Sequence, residues 1–210
     1  MATMPVDSPV VSADEAMRRL IEGNQRFLSG RAVFPTVQKE ILAAMALGQQ
    51  PYATILGCSD SRVPPELLFD AGFGQLFVIR VAGNTLSAEV SGSMQYAGTH
   101  LHTQLFVVLG HERCGAVQAA MATKFEGAQH KSRIQLLVDS IVPALSERDP
   151  ALTPAAQLAR AVEENVQWTM RQILQSPEAR ARRLEGKMKL AGAVYEMESG
   201  RVRFLPEPLD

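Results

Sequence analysis

Only two cysteines and one tryptophan occur in this 210-residue chain, and its net charge is −1. Two cysteines cannot staple a chain of this size into a disulfide framework. With no export signal they suit a reducing compartment, where paired cysteines more often bind metal or do chemistry. Near-neutral charge removes the electrostatic reason to expect nucleic acid or a membrane surface as partner. No apolar run approaches the length of a bilayer span. Met1 to Val11 has no basic stretch followed by an apolar one, so no secretory signal is read there and the expected location is cytoplasmic. Internal repeats, low-complexity tracts and linkers are also missing. Arg180, Arg182, Arg183 and Lys187 alternate with Glu178 and Glu185, the pattern of a solvated helix face rather than a binding patch.

What is present is an ordinary globular composition, 46% hydrophobic and 20% charged. The length suits one domain over residues 1–210, with 1–11, which holds Pro5 and Pro9, as a loose arm. Ser12-x-x-Glu15 reads as a capping box opening a helix. Met17, Leu20, Ile21, Asn24, Phe27 and Leu28 follow at helical spacing, and Gly30 can end it. A second helix is expected over about Val37 to Leu47.

Tyr52–Leu56, Leu76–Val81 and Leu105–Leu109 are short apolar runs without polar alternation. They read as parallel strands buried on both faces. Helices are expected between them, at Pro65–Asp70 and Ser87–His102, and after them at 114–125, 133–145 and 154–175. Lys189–Glu196 and Arg201–Phe204 read as an edge strand turning into an extended tail. The expected fold is α/β: a mostly parallel central sheet flanked by helices, with a C-terminal edge strand and an N-terminal helical arm.

Two motifs use both cysteines: Cys58-Ser59-Asp60-Ser61-Arg62 and His111-Glu112-Arg113-Cys114. Cys58 follows the first strand and His111 the third, where open parallel sheets place their ligands. Gly57 and Gly110 each precede a candidate ligand, which suggests a sharp exit from the strand. Cys114 falls at the start of a helix, a position that favours a thiolate. Two thiolates and one imidazole would leave one position of a tetrahedral zinc open, as in catalytic sites. Spacing alone leaves other readings open, including buried structural cysteines and a redox pair, although no Cys-x-x-Cys is present. A phosphate-cradling Cys-x5-Arg loop needs more than the three residues between Cys58 and Arg62.

Cys-Ser-Asp-Ser-Arg followed by Gly-His-x-x-Cys-Gly resembles the zinc signature of the β-class carbonic anhydrases. The resemblance runs from about Gly48 to Gly115 and again over Ala191–Phe204. It implies one Zn²⁺ per chain on Cys58, His111 and Cys114, with water or Asp60 as fourth ligand and Arg62 as the partner that draws Asp60 away. It implies reversible hydration of carbon dioxide to bicarbonate and a proton by attack of zinc-bound hydroxide. Two thiolates should make that water less acidic than three imidazoles would, predicting an alkaline optimum. Gln49, Phe77, Tyr96 and Gly115 match substrate-pocket positions, and Ala82 stands where some members have valine. Ile55 replaces a tryptophan that helps form a non-catalytic bicarbonate pocket in one subgroup. His100, His102 and His130 are proton-transfer candidates by chemistry alone.

The resemblance further implies a homodimer or homotetramer, with the helix from Ser12 to Ser29 packing onto a partner. Two alternatives keep the same site. One is hydrolysis of carbon disulfide or carbonyl sulfide. The other is a non-catalytic zinc module closed permanently by Asp60, which the retention of Arg62 argues against.

Overall fold

The computed structural model describes residues 9–33, 42–43 and 45–206. The helix expected over Val37–Leu47 falls largely outside them, as does most of the 1–11 arm. Five strands form one sheet: β1 (Ala53–Gly57), β2 (Leu76–Arg80), β3 (Leu105–His111), β4 (Lys189–Tyr195) and β5 (Val202–Phe204). Their order is β2-β1-β3-β4-β5. The first four run parallel, and β5 pairs antiparallel with β4. The helices are α1 (Ala13–Leu28), α2 (Pro65–Leu68), α3 (Ala88–His100), α4 (Gly115–Glu126), α5 (Ser132–Ile141), α6 (Pro154–Gln175) and α7 (Pro177–Leu184). A short 3-10 turn at Ala82–Asn84 follows β2, and another at Val142–Ala144 follows α5.

β1 and β3 are buried along their whole length, which is why they read as unbroken apolar runs. Their side chains alternate between two cores. Leu56, Phe106 and Val108 meet Val138, Val162, Val166 and Met170 on one face. Ile55, Val107 and Leu109 meet Leu20, Val63 and Phe69 on the other. β2 is only half-buried. It stands at the sheet edge, so the expectation of burial on both faces fails there. Lys189–Tyr195 is an interior strand rather than an edge, and β5 takes the edge.

Caps explain the helix starts. The hydroxyls of Ser12, Ser87 and Thr153 accept the N–H groups of Glu15, Val90 and Ala156. The capping box is only half made, because the Glu15 carboxylate turns to Arg18 and Arg19 instead. Arg180, Arg182 and Arg183 do lie on a helix, α7.

α1 makes close contacts with its own chain. Gly23 approaches Phe69 so closely that a Cβ there would lie 1.8 Å from the Phe69 carbonyl oxygen. Buried Asn24 donates to the carbonyls of Leu68 (3.0 Å) and Gly200 (3.1 Å) and accepts from the Val202 N–H (3.0 Å). Three hydrogen bonds at one side chain tie the first helix to α2 and to the β4–β5 turn.

Candidate metal centre

The chain goes from β1 outward to β2, then crosses back to β3 on the other side of β1. Connections diverge at that point, and a crevice opens at the carboxyl ends of β1 and β3. Cys58 follows the last residue of β1, and His111 is the last residue of β3. Arg113 then adopts a left-handed backbone, φ 54°, which turns the chain into α4 with Cys114 at its N-cap. The ligand atoms of Cys58, His111 and Cys114 all lie within 4.8 Å of one another, and all three residues are buried.

His111 is prepared for a cation. Its Nδ1 faces the Glu112 carbonyl at 2.8 Å, so Nδ1 carries the proton and Nε2 presents a lone pair. That Nε2 is buried and has no hydrogen-bond partner. An orphaned nitrogen between two sulfurs is a costly arrangement for a merely structural histidine, whereas a zinc ion satisfies it. The thiols act as a pair. Hydrogen bonding with Cys114 draws Cys58 down, helped by the N–H groups of Gly83 and Asp60, against burial. The same contact and burial push Cys114 up.

Asp60 stands at the mouth. Its carboxylate takes a two-pronged grip from Arg62, Nε at 2.9 Å and Nη2 at 2.7 Å, plus the Arg62 backbone N–H at 3.0 Å. These bonds hold its carboxyl well below the usual carboxylate range. Asp60 Oδ2 is 3.9 Å from His111 Nε2. Of the two arrangements expected for Asp60, this is the one paired with Arg62.

Two sets of contacts that sequence reasoning missed shape the loops. Arg80 ends β2 and reaches across the neighbouring loop, donating to the Cys58 carbonyl at 3.0 Å and the Asp60 carbonyl at 2.6 Å. A charged residue closing an apolar strand was the available signal. The Glu112 carboxylate accepts the Met197 N–H at 2.9 Å, and Arg113 pairs with Glu198. These bonds fasten the second motif to the turn after β4.

The other candidates divide. Gly115 begins α4 beside Cys114, with open space where a Cβ would stand. Gln49 lies exposed before β1, at the end of the sheet opposite the ligands. Phe77 sits beside Thr54, near the amino end of β1. Tyr96 is 47% exposed, its ring 6.1 Å from that of Phe77 and 5.0 Å from that of His100. Thr54 also meets Thr103, which puts His100 and His102 toward the same far end. His130 follows α4 at the end away from Cys114. Within one chain Gly115 adjoins the ligand cluster, and Gln49, Phe77, Tyr96, His100, His102 and His130 do not join it.

Comparison with known proteins agrees with this geometry. A family model described as carbonic anhydrase matches residues 53–202. Carbonic anhydrase 2 of Mycobacterium tuberculosis is 38% identical over 200 residues, covering 94% of this chain and 93% of that protein. Among solved structures, the β-carbonic anhydrase of Coccomyxa, in complex with acetazolamide, superposes with a TM-score of 0.70 at 25% identity, covering 90% of this chain and 86% of that one. A structure from Sordaria macrospora described as a tetrameric β-carbonic anhydrase has a TM-score of 0.73 over 90% of this chain and 96% of that one. At 21% identity it speaks for the fold alone.

Proposed function

This chain belongs to the β-class carbonic anhydrases, and from that premise we infer that Cys58, His111 and Cys114 hold the catalytic zinc while Asp60 and Arg62 manage its fourth position. It is a carbonate dehydratase: water adds through oxygen to the carbon of carbon dioxide, and bicarbonate and one proton leave. When bound, zinc supplies Lewis acidity that makes a water acidic near neutral pH. The usual illustration is a three-histidine carbonic anhydrase, a different class.

The chain's own residues do the rest. Cys58, His111 and Cys114 would hold the zinc through two thiolates and a neutral imidazole. The Arg62 fork keeps the Asp60 carboxylate turned to itself, 3.9 Å from His111 Nε2, where it would leave the site open to water. A carboxylate held there can accept an O–H from a water beside it and orient that water's oxygen toward the substrate carbon. Arg80 grips the backbone carbonyls on either side of Ser59, limiting how far the Asp60 loop can stray. Gly115 leaves room at the start of α4 for a small substrate.

The observation that carries this reading is the buried, unpartnered His111 Nε2 between two sulfurs, with an Arg62-held carboxylate 3.9 Å away. Gln49, Phe77 and Tyr96 serve as pocket residues only across a subunit boundary. The exposed Tyr96 beside the half-buried edge strand β2 supports a homodimer or homotetramer. Among the described residues no helix is long and apolar enough to cross a membrane. Two free thiols suit a cytoplasmic setting.

Stopped-flow hydration of carbon dioxide tests the reading, with zinc quantified in the same preparation and carbon disulfide and carbonyl sulfide assayed beside it. The expected result is rapid hydration at one zinc per chain. Zinc-loaded protein that hydrates no carbon dioxide but consumes either sulfur analogue would replace the substrate assignment.

A further inference from the structure

α6 carries two polar residues on the face it presents to the core. Asn165 and Thr169 lie one helical turn apart and are each 1% exposed. Neighbouring positions on that face are Val162, Val166, Met170 and Ile173. Buried polar groups are costly, and here the donor of each has a definite object. Asn165 Nδ2 donates to the Gly83 carbonyl at 2.8 Å, and the Thr169 hydroxyl donates to the Asn84 carbonyl at 3.2 Å. These are consecutive carbonyls of the 82–84 turn.

The same turn touches the ligand cluster. The Gly83 N–H donates to Cys58 Sγ at 3.3 Å. That aim depends on an unusual backbone, for Gly83 has φ 69°. A side chain there would also strike Ile141 Cδ1 at 2.7 Å and Ala116 Cβ at 3.0 Å. The turn is thus a short lever. One end is gripped from behind by α6, and the other end points a donor at a ligand sulfur.

We propose that Asn165 and Thr169 are positioning residues for the metal centre, fixing the Gly83 peptide so that its N–H supports the Cys58 thiolate. This rests on the zinc reading above. Neither residue is near a ligand in sequence, and neither touches the ligand set directly. Their effect passes through the backbone of the turn, from the Gly83 and Asn84 carbonyls to the Gly83 N–H. Partners that orient ligands commonly alter metal affinity by roughly 10- to 100-fold. A peptide N–H directed at a thiolate also lowers the energy of the sulfur lone pairs, so losing it should show in the metal's spectrum.

The test compares zinc-loaded wild type with Asn165→Leu, Thr169→Val and Ile173→Ala. Ile173→Ala is a control, on the same helix but without a bond to the turn. The first readout is the rate of zinc transfer to a chelator. The second is the thiolate-to-metal charge-transfer band after replacement by Co²⁺. Asn165→Leu should release zinc about tenfold faster and Thr169→Val a few-fold faster. Both should shift the cobalt band to lower energy, while Ile173→Ala changes neither despite lower thermal stability. Should Asn165→Leu fail to fold, Thr169→Val, which loses only a hydroxyl, decides. Wild-type release and spectrum in the folded variants would overturn the proposal, as would equally fast release from Ile173→Ala. Wild type that holds no stoichiometric zinc would instead remove the reading beneath it.

Discussion

Gly57 and Gly110 occupy equivalent places, each one residue before a ligand, yet they should respond oppositely to alanine. Neither has a positive φ, so neither is glycine for the sake of a turn. A Cβ on Gly57 would meet only Pro65 Cγ at 3.8 Å and the Leu109 carbonyl at 4.0 Å, ordinary contact distances. A Cβ on Gly110 would lie 2.6 Å from Val166 Cγ2 and 3.4 Å from Val162 Cγ1. Gly110 therefore exists to let α6 lie close against β3. Both substitutions reduce the freedom of the unfolded chain, worth about 0.4–1 kcal/mol in favour of folding. Only Gly110→Ala adds overpacking, about 1–3 kcal/mol against it. At roughly 2–4 °C per kcal/mol for a chain of this size, Gly57→Ala should raise Tm by about 1–4 °C. Gly110→Ala, with the same entropy gain set against its overpacking, should lower it by up to about 10 °C on the same scale. Thermal unfolding at matched zinc content measures both. A loss in Gly57→Ala equal to that in Gly110→Ala would refute the argument from space.

Replacing both Cys58 and Cys114 by Ser should abolish zinc binding, measured by metal analysis of the purified protein; stoichiometric zinc in that variant would sink the ligand assignment. Arg62→Ala should keep its zinc but hydrate poorly, and a pH–rate profile matching wild type at every pH would end the role given to the Asp60–Arg62 pair. The depressed Asp60 carboxyl gives a definite sign: its contribution to stability is present above its unfolded pKa of about 4 and is lost only as pH falls through its lower folded value. Asp60 stays ionised across the neutral-to-alkaline range, so a rise of activity there does not come from its protonation, and in Arg62→Ala the acid-side loss of stability should begin at higher pH. Sedimentation should find a dimer or tetramer, and a fully active monomer would remove the role assigned to Gln49, Phe77 and Tyr96 across a subunit boundary.

Much of this was readable in the chain because burial leaves a simple trace. β1 and β3 lie between two cores, so their apolar runs are unbroken, and each run ends beside a ligand. Ser12 announced its helix through a local bond only three residues long. Strand order left no such trace. Nothing within Leu76–Arg80 says that its outer side lacks a neighbour, and nothing within Lys189–Tyr195 says that β5 will cover it. Arg80 and Asn165 were missed for a related reason. Their partners lie 20–22 and 82 residues away in sequence, and a polar residue at a strand end or on a helix looks ordinary until the partner is known. The small residues Ala16 and Gly23 of α1 looked ordinary in sequence, because the segment they pack against lies far along the chain.

The grip of Glu112 on the turn after β4 bears on the order of events during synthesis. All three ligand residues have been made once Cys114 is added. Yet the Glu112 N–H bonds to the carbonyl of Tyr195, and its carboxylate to the N–H of Met197, 85 residues further along. Asn24, near the other end, bonds to Gly200 and Val202. A nascent chain thus carries every ligand long before it owns the strand that seats them, and a domain folds as a unit. The frame that holds the ligand loops therefore closes only when the segment through Val202 is in place.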